Sequence, residues 1–165
     1  KSSKRSYFAT LREKFKLPGM RVLQFAFDDG ESNHFLPHNY VPNTIAYTGT
    51  HDNDTSVGWW NAAPDQVKAF ALRYLNRDGQ AIHWDMMRAL SGSVANIVIF
   101  PMQDVLGLPG EHRMNLPGQQ DGNWEWRFFW SQVQPEHTLA LAEMSVTNGR
   151  NPVSLRSEVG AGSLR

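Results

Sequence analysis

Two hydrophobic patterns alternate along the chain. Short, mainly apolar runs rich in strand formers occupy 20–27, 44–48 and 94–100. Runs of this kind predict strands buried in a parallel sheet. The third is the strongest: Val94, Ile97, Val98, Ile99 and Phe100 have the look of a strand buried on both faces. Elsewhere the apolar spacing becomes helical, over 7–15, 55–62, 64–75, 81–90 and 135–147. Leu17-Pro18-Gly19 stops the first helix. Pro64 suits a first helical turn, and Asp65 complements the helix dipole there. Trp84, Met87 and Leu90 are the expected core contacts of helix 81–90. Residues 107–123 hold Leu108-Pro109-Gly110, Leu116-Pro117-Gly118 and Asp121-Gly122-Asn123. Apolar residues and Arg113 interrupt these turn signals, so the segment reads as a long ordered loop, not a linker. Residues 151–165 are rich in Ser and Gly and read as a flexible, frayed tail.

Continuous apolar strands separated by helices are the grammar of an α/β fold with a parallel sheet. In such folds the chemistry lies at the carboxyl ends of strands. Polar clusters follow all three predicted strands: Asp28-Asp29, His51-Asp52-Asn53-Asp54 and Gln103-Asp104. That coincidence points to a site.

Composition narrows what the site can be. The 165 residues suit one ordinary domain. Lys+Arg and Asp+Glu are both 16, a formal net charge of +0. Such a chain has no bulk electrostatic reason to bind nucleic acid or an anionic membrane. With no Cys, disulfide frameworks and thiolate metal or redox sites are excluded. No apolar run reaches the ~18 residues of a transmembrane helix. Lys1, Lys4 and Arg5 are basic, but no apolar segment follows them as in a signal peptide. The first residue is Lys, not Met, so the chain is expected to be a piece of something longer.

His51, Asp52 and Asp54 are of metal-ligand type. No HExxH helix, Cys partner or calcium-loop pattern accompanies them. No Gly-x-Ser-x-Gly elbow supports serine hydrolysis, and Gly107-Leu108-Pro109-Gly110 lacks the Lys of a phosphate loop. Carboxylates, a His, an Asn and Trp side chains at strand ends suit carbohydrate better. Sugar hydroxyls need charged acceptors, and sugar faces need flat aromatics. Each Asp taken alone could equally cap a loop or a turn.

Tyr47-Thr48-Gly49-Thr50-His51-Asp52-Asn53-Asp54-Thr55 closely resembles a motif of the 4-α-glucanotransferases of glycoside hydrolase family 77, the amylomaltases or disproportionating enzymes. Other segments agree in the same order. Leu17 to Phe27 resembles that family's sixth barrel strand, and Leu36-Pro37-His38-Asn39-Tyr40 its following loop. Pro101-Met102-Gln103-Asp104, Arg113-Met114-Asn115-Leu116-Pro117-Gly118 and Gly122-Asn123-Trp124-Glu125-Trp126-Arg127 complete the pattern. The resemblance implies strands 6–8 of a (β/α)8 TIM barrel, with 1–150 forming the C-terminal portion of the catalytic domain. It implies transfer of α-1,4-glucan segments between maltooligosaccharides by retaining double displacement. By resemblance Asp52 is the transition-state-stabilising carboxylate, with His51 beside it. Asp29 and Asn115 match positions that contact glucan. No cofactor and no metal are implied.

The family's nucleophile and acid/base precede its sixth strand, so their partner here would be the missing N-terminal part of the same enzyme. The isolated chain is then expected to be inactive and marginally stable. Val22, Phe25, Ile97, Val98 and Ile99 would lose the partners that missing strands supply. A cytoplasmic location is expected, or a plastid if a transit peptide precedes the chain. Two other readings stay open: a free-standing glucan-binding module, and a metal-dependent hydrolase using His51, Asp52 and Asp54.

Overall fold

A computed structural model describes Tyr7 and residues 10–151. Nearly all of the predicted tail, 152–165, lies outside the described residues, as do two positions of helix 7–15. The chain divides into two compact units, Lys1–Trp126 and Arg127–Arg165.

The first unit is built on a three-stranded sheet of order β1-β2-β3, with β1 at Gly19–Val22, β2 at Thr44–Tyr47 and β3 at Ile97–Ile99. Both pairings are parallel. Met20, Ile45 and Ile97 lie in register, as do Arg21, Ala46 and Val98, and Val22, Tyr47 and Ile99. The crossover from β2 to β3 carries three helices: α1 at Ser56–Ala62, α2 at Asp65–Leu75 and α3 at Ile82–Ser91. A one-turn helix, α4 at Met102–Val105, follows β3. The expected α/β fold with a parallel sheet is therefore present.

Two strands are shorter than the apolar pattern predicts. β1 ends at Val22, and Leu23–Phe25 forms a 3-10 turn. The cause is its neighbour. β2 ends at Tyr47, the Gln24 amide donates to the Thr48 carbonyl at 3.2 Å, and beyond that no strand remains to pair with. Burial continues regardless, with Leu23, Ala26 and Phe27 in the core. β3 likewise spans only the residues that face β2.

The helices cover one face of the sheet. Ala46 is fully buried on that face, and Val98 packs against the cluster of Leu23, Ile82, Met86 and Leu90. Phe27, Trp59, Phe70 and Tyr74 extend it, with Phe27–Trp59 ring centroids 5.6 Å apart. Met87 and Leu90 are buried as expected, while Trp84 is half-buried. The opposite face is open: Met20, Ile97 and Ile99 are exposed. This corrects the expectation of a third strand buried on both faces. Of the residues expected to lack partners, Phe25, Ile97 and Ile99 are exposed. Val22 is buried, and Val98 is half-buried because it points to the helix-covered side.

Asp85 on α3 is buried beside Arg77 (Nε 3.6 Å) and Arg88 (Nη1 3.4 Å). Burial pushes its carboxyl above the ordinary range, and the two guanidinium groups oppose that shift. The second unit holds a 3-10 turn at Trp130–Gln132 and helix α5 at Pro135–Thr147, the predicted span. Pro135 opens α5, where its missing N–H costs nothing.

Candidate active site

The loop 48–55 leaves the carboxyl end of β2 and enters α1, and internal bonds shape it. Asn53 Oδ1 accepts from the Thr50 amide at 2.9 Å and from Thr50 Oγ1 at 2.8 Å. Thr55 caps α1 by accepting from the Gly58 amide at 3.0 Å. Gln24, from the turn after β1, donates to the Asp54 carbonyl at 2.8 Å. Asp54 is held at the start of α1. Its carboxylate accepts from the Thr55 amide at 2.7 Å and lies against the backbone of Gly58 and Gly110.

A Cβ at Gly58 would overlap that carboxylate. Gly58→Ala should therefore cost about 1–3 kcal/mol of stability, as overpacked interiors do. A lowered midpoint of urea unfolding checks this.

His51 and Asp52 sit at the tip, each half-exposed, with His51 Nε2 3.3 Å from Asp52 Oδ1. The same oxygen accepts from Asn115 Nδ2 at 2.6 Å. Arg113 donates from Nη2 to the Asp52 carbonyl at 2.9 Å and from Nε to the Asn115 carbonyl at 3.0 Å. Both contacts of the Asp52 side chain fall on Oδ1, and among the described residues no protein donor reaches Oδ2. One oxygen is held while the other can accept a hydroxyl.

The loop 113–124 that supplies these partners is ordered, as its apolar content predicts. Asn123 Oδ1 accepts from the Leu116 amide at 2.7 Å, and the Trp124 amide donates to the Met114 carbonyl at 2.8 Å. Trp124 has φ 66°, an uncommon conformation for an aromatic residue. Its ring lies 4.8 Å from that of His51, tilted by 41°.

A cavity of about 470 Å³ opens here, lined by His51, Asp52, Arg113 and Trp124 together with Met20 and Ile99 of the open sheet face. Charged acceptors beside a broad indole and an apolar floor suit a sugar.

The structure thus brings together His51, Asp52 and Asn115. It does not bring Asp29 to them. Asp29 is exposed beyond the 3-10 turn and does not line the cavity. That turn inserts residues between the strand end and Asp28-Asp29, so Gln24 is what reaches the loop instead. Sequence reasoning missed Gln24, which reads as an ordinary strand position. It left Arg113 and Trp124 without roles, although both lie in the quoted motifs. Among the described residues, no three His, Asp or Glu side chains converge as a metal site would require. Asp54 lines the same cavity as His51 and Asp52, with its carboxylate bonded to the Thr55 amide.

A parallel sheet with helices on one face and a polar cleft at its carboxyl ends defines a segment of an α/β enzyme domain. The 4-alpha-glucanotransferase family model of glycoside hydrolase family 77 matches residues 5–131, and the chain belongs to that family. It is 47% identical over 148 residues to a 4-alpha-glucanotransferase of Thermus thermophilus, covering 85% of this chain and 30% of that protein. It is 50% identical over 118 residues to the chloroplastic/amyloplastic enzyme of Solanum tuberosum, covering 71% of this chain and 20% of that one. In structure it is similar to the amylomaltase of Streptococcus agalactiae solved in complex with acarbose. That match has a TM-score of 0.86 and 34% identity, and covers 88% of this chain and 30% of the other. The chain therefore spans less than a third of the length of these relatives. Among the described residues, no helix is long and apolar enough to cross a membrane.

Proposed function

We propose that this chain carries strands 6–8 of a (β/α)8 barrel, and that the enzyme containing it transfers α-1,4-glucan segments between maltooligosaccharides. The observation that carries this reading is the Asp52 carboxylate, held on one oxygen by Asn115 and His51 at the mouth of a cavity walled by Trp124. The one-sided helix cover supports the barrel. A doubly wound sheet is covered on both faces, whereas a barrel strand turns its other face inward. Residues 1–150 form one portion of the catalytic domain in this reading.

The mechanism we assign is retaining double displacement. A carboxylate nucleophile and a carboxylic acid from the remainder of the enzyme act on the glycosidic bond. Asp52 accepts sugar hydroxyls, and those bonds strengthen as oxocarbenium charge develops. Arg113, bonded to the Asp52 backbone, keeps the tip in place. Asp29 is retained as a glucan contact outside the cavity lining. The reaction belongs in the cytoplasm, or in a plastid, as the name of the potato relative states for that protein.

The test is incubation of the native gene product that carries this segment with maltotriose. The expected result is glucose together with a ladder of longer maltooligosaccharides. This 165-residue chain alone should give none. Hydrolysis without a ladder, or activity removed by a chelator, would favour the metal-dependent hydrolase. Maltooligosaccharide binding without turnover would favour a binding module.

A further inference from the structure

We infer that Asp104 is the positioning residue that sets the Asp52 loop. The role rests on the proposed transfer reaction, but the geometry stands without it. Asp104, on α4 after β3, is 1% exposed. A carboxylate this deep persists only when hydrogen bonds replace water. Three donors do so. Thr48 Oγ1 reaches Oδ2 at 2.5 Å, Ser56 Oγ reaches Oδ2 at 2.7 Å, and the Ser56 amide reaches Oδ1 at 2.7 Å.

The placement of these donors makes the inference. Thr48 directly follows β2, and Ser56 opens α1. Between them lies the segment 49–55 that carries His51 and Asp52. One buried carboxylate from the next strand end thus ties both stems of the loop together. Bonds to a charged acceptor are the strong ones, so the stems are held tightly. The tip is fixed separately, by Arg113 and Asn115. Asp104 does not line the cavity.

Asp104→Asn should keep the clamp. The Thr48 and Ser56 hydroxyls can reverse and accept from the new amide, while its oxygen still takes the Ser56 amide. Asp104→Ala leaves three buried donors unpaired and frees both stems. A displacement of about 1 Å at a reacting group can cost ~100-fold in rate.

The experiment compares Asp104→Ala, Asp104→Asn and Leu90→Ala in the native gene product, with maltotriose as substrate. Leu90 lies in the helix-side core, so its variant is a control for lost stability alone. Below every variant's melting range, Asp104→Ala should lose about 100-fold in kcat with little change in KM. Asp104→Asn should recover most of that loss, and Leu90→Ala should keep its kcat. A folded Asp104→Ala with wild-type kcat overturns the inference, as does an equal kcat loss in Leu90→Ala.

Should Asp104→Ala fail to fold, Thr48→Val removes one stem bond at constant shape. Its kcat should fall about tenfold, the worth of one hydrogen bond to a charged group, and a wild-type kcat refutes the clamp. Hydrogen exchange separates this inference from the transfer reaction itself. Asp104→Ala, or Thr48→Val in its place, should speed exchange at the Thr50 and Asn53 amides and leave α2 unchanged. If the wild type makes no ladder, the transfer reading fails. Unchanged exchange at Thr50 and Asn53 defeats the positioning role whatever the activity.

Discussion

Asp52→Asn in the native gene product should lower kcat for maltotriose transfer by about 10²–10³-fold, the scale of losing one group aimed at a developing charge. Asn keeps the shape of the side chain. Its oxygen can still accept from Asn115, which reaches Asp52 Oδ1 at 2.6 Å in the wild type. What changes is the outer position, where an NH2 donor replaces a charged acceptor. In the proposed mechanism, sugar hydroxyls that donate to Oδ2 would then meet a donor. The loss grows with the positive charge of the transition state, so kcat should fall far more than ground-state affinity. Measuring both constants across a maltooligosaccharide series checks the split. A kcat equal to wild type would remove Asp52 from the chemistry.

Asp52, His51 and Asn115 were legible in the sequence for different reasons. The first two stand in one polar cluster directly after a strand, where parallel α/β folds keep their chemistry. Asn115 lies far along the chain and was reached only through resemblance. No periodicity links it to Asp52, because a loop with two Pro-Gly turns carries it there. The helices predicted over 55–62, 64–75, 81–90 and 135–147 were read nearly to the residue, whereas the one-turn α4 at Met102–Val105 was not read. α5 begins at Pro135 and ends at Thr147, since a proline start and an Asn148-Gly149 stop leave little freedom.

Strand lengths were not legible, because a strand lasts only while its neighbour does. The apolar run 20–27 reads as one strand, yet β2 stops at Tyr47 and β1 ends opposite it at Val22. The separation of Asp29 from the cavity follows directly. Had the strand run on to Phe27, Asp28-Asp29 would have stood at the sheet's end beside Asp52. Instead the 3-10 turn comes between them, and Gln24 takes the position facing the loop. Asp104 was seen as part of a polar cluster, but its burial was not. Only the fold shows that Thr48 and Ser56 converge on it.

Leu90→Ala should have the complementary effect, a large loss of stability with kcat preserved. Leu90 is fully buried on α3, in one cluster with Leu23, Ala46 and Met86. Removing such a side chain typically costs ~2–5 kcal/mol, from lost transfer energy and from the cavity left behind. Net stabilities of ~5–15 kcal/mol make that a large fraction. The midpoint of urea unfolding should fall with little change in slope, because the surface exposed on unfolding is nearly the same. The effect stays on the helix side of the sheet for a geometric reason. Side chains alternate across a strand, so Ala46 and Val98 meet the core while Tyr47 and Ile99 line the cavity. A void beneath Ala46 is therefore separated from Asp52 by the sheet itself, and loop 48–55 keeps its own bonds to Asp104 and Gln24. An unmoved midpoint would mean that this core does not limit unfolding. A reduced kcat below the melting range would mean that the sheet transmits core packing to the loop, and it would count against Asp104 as the group that sets that loop.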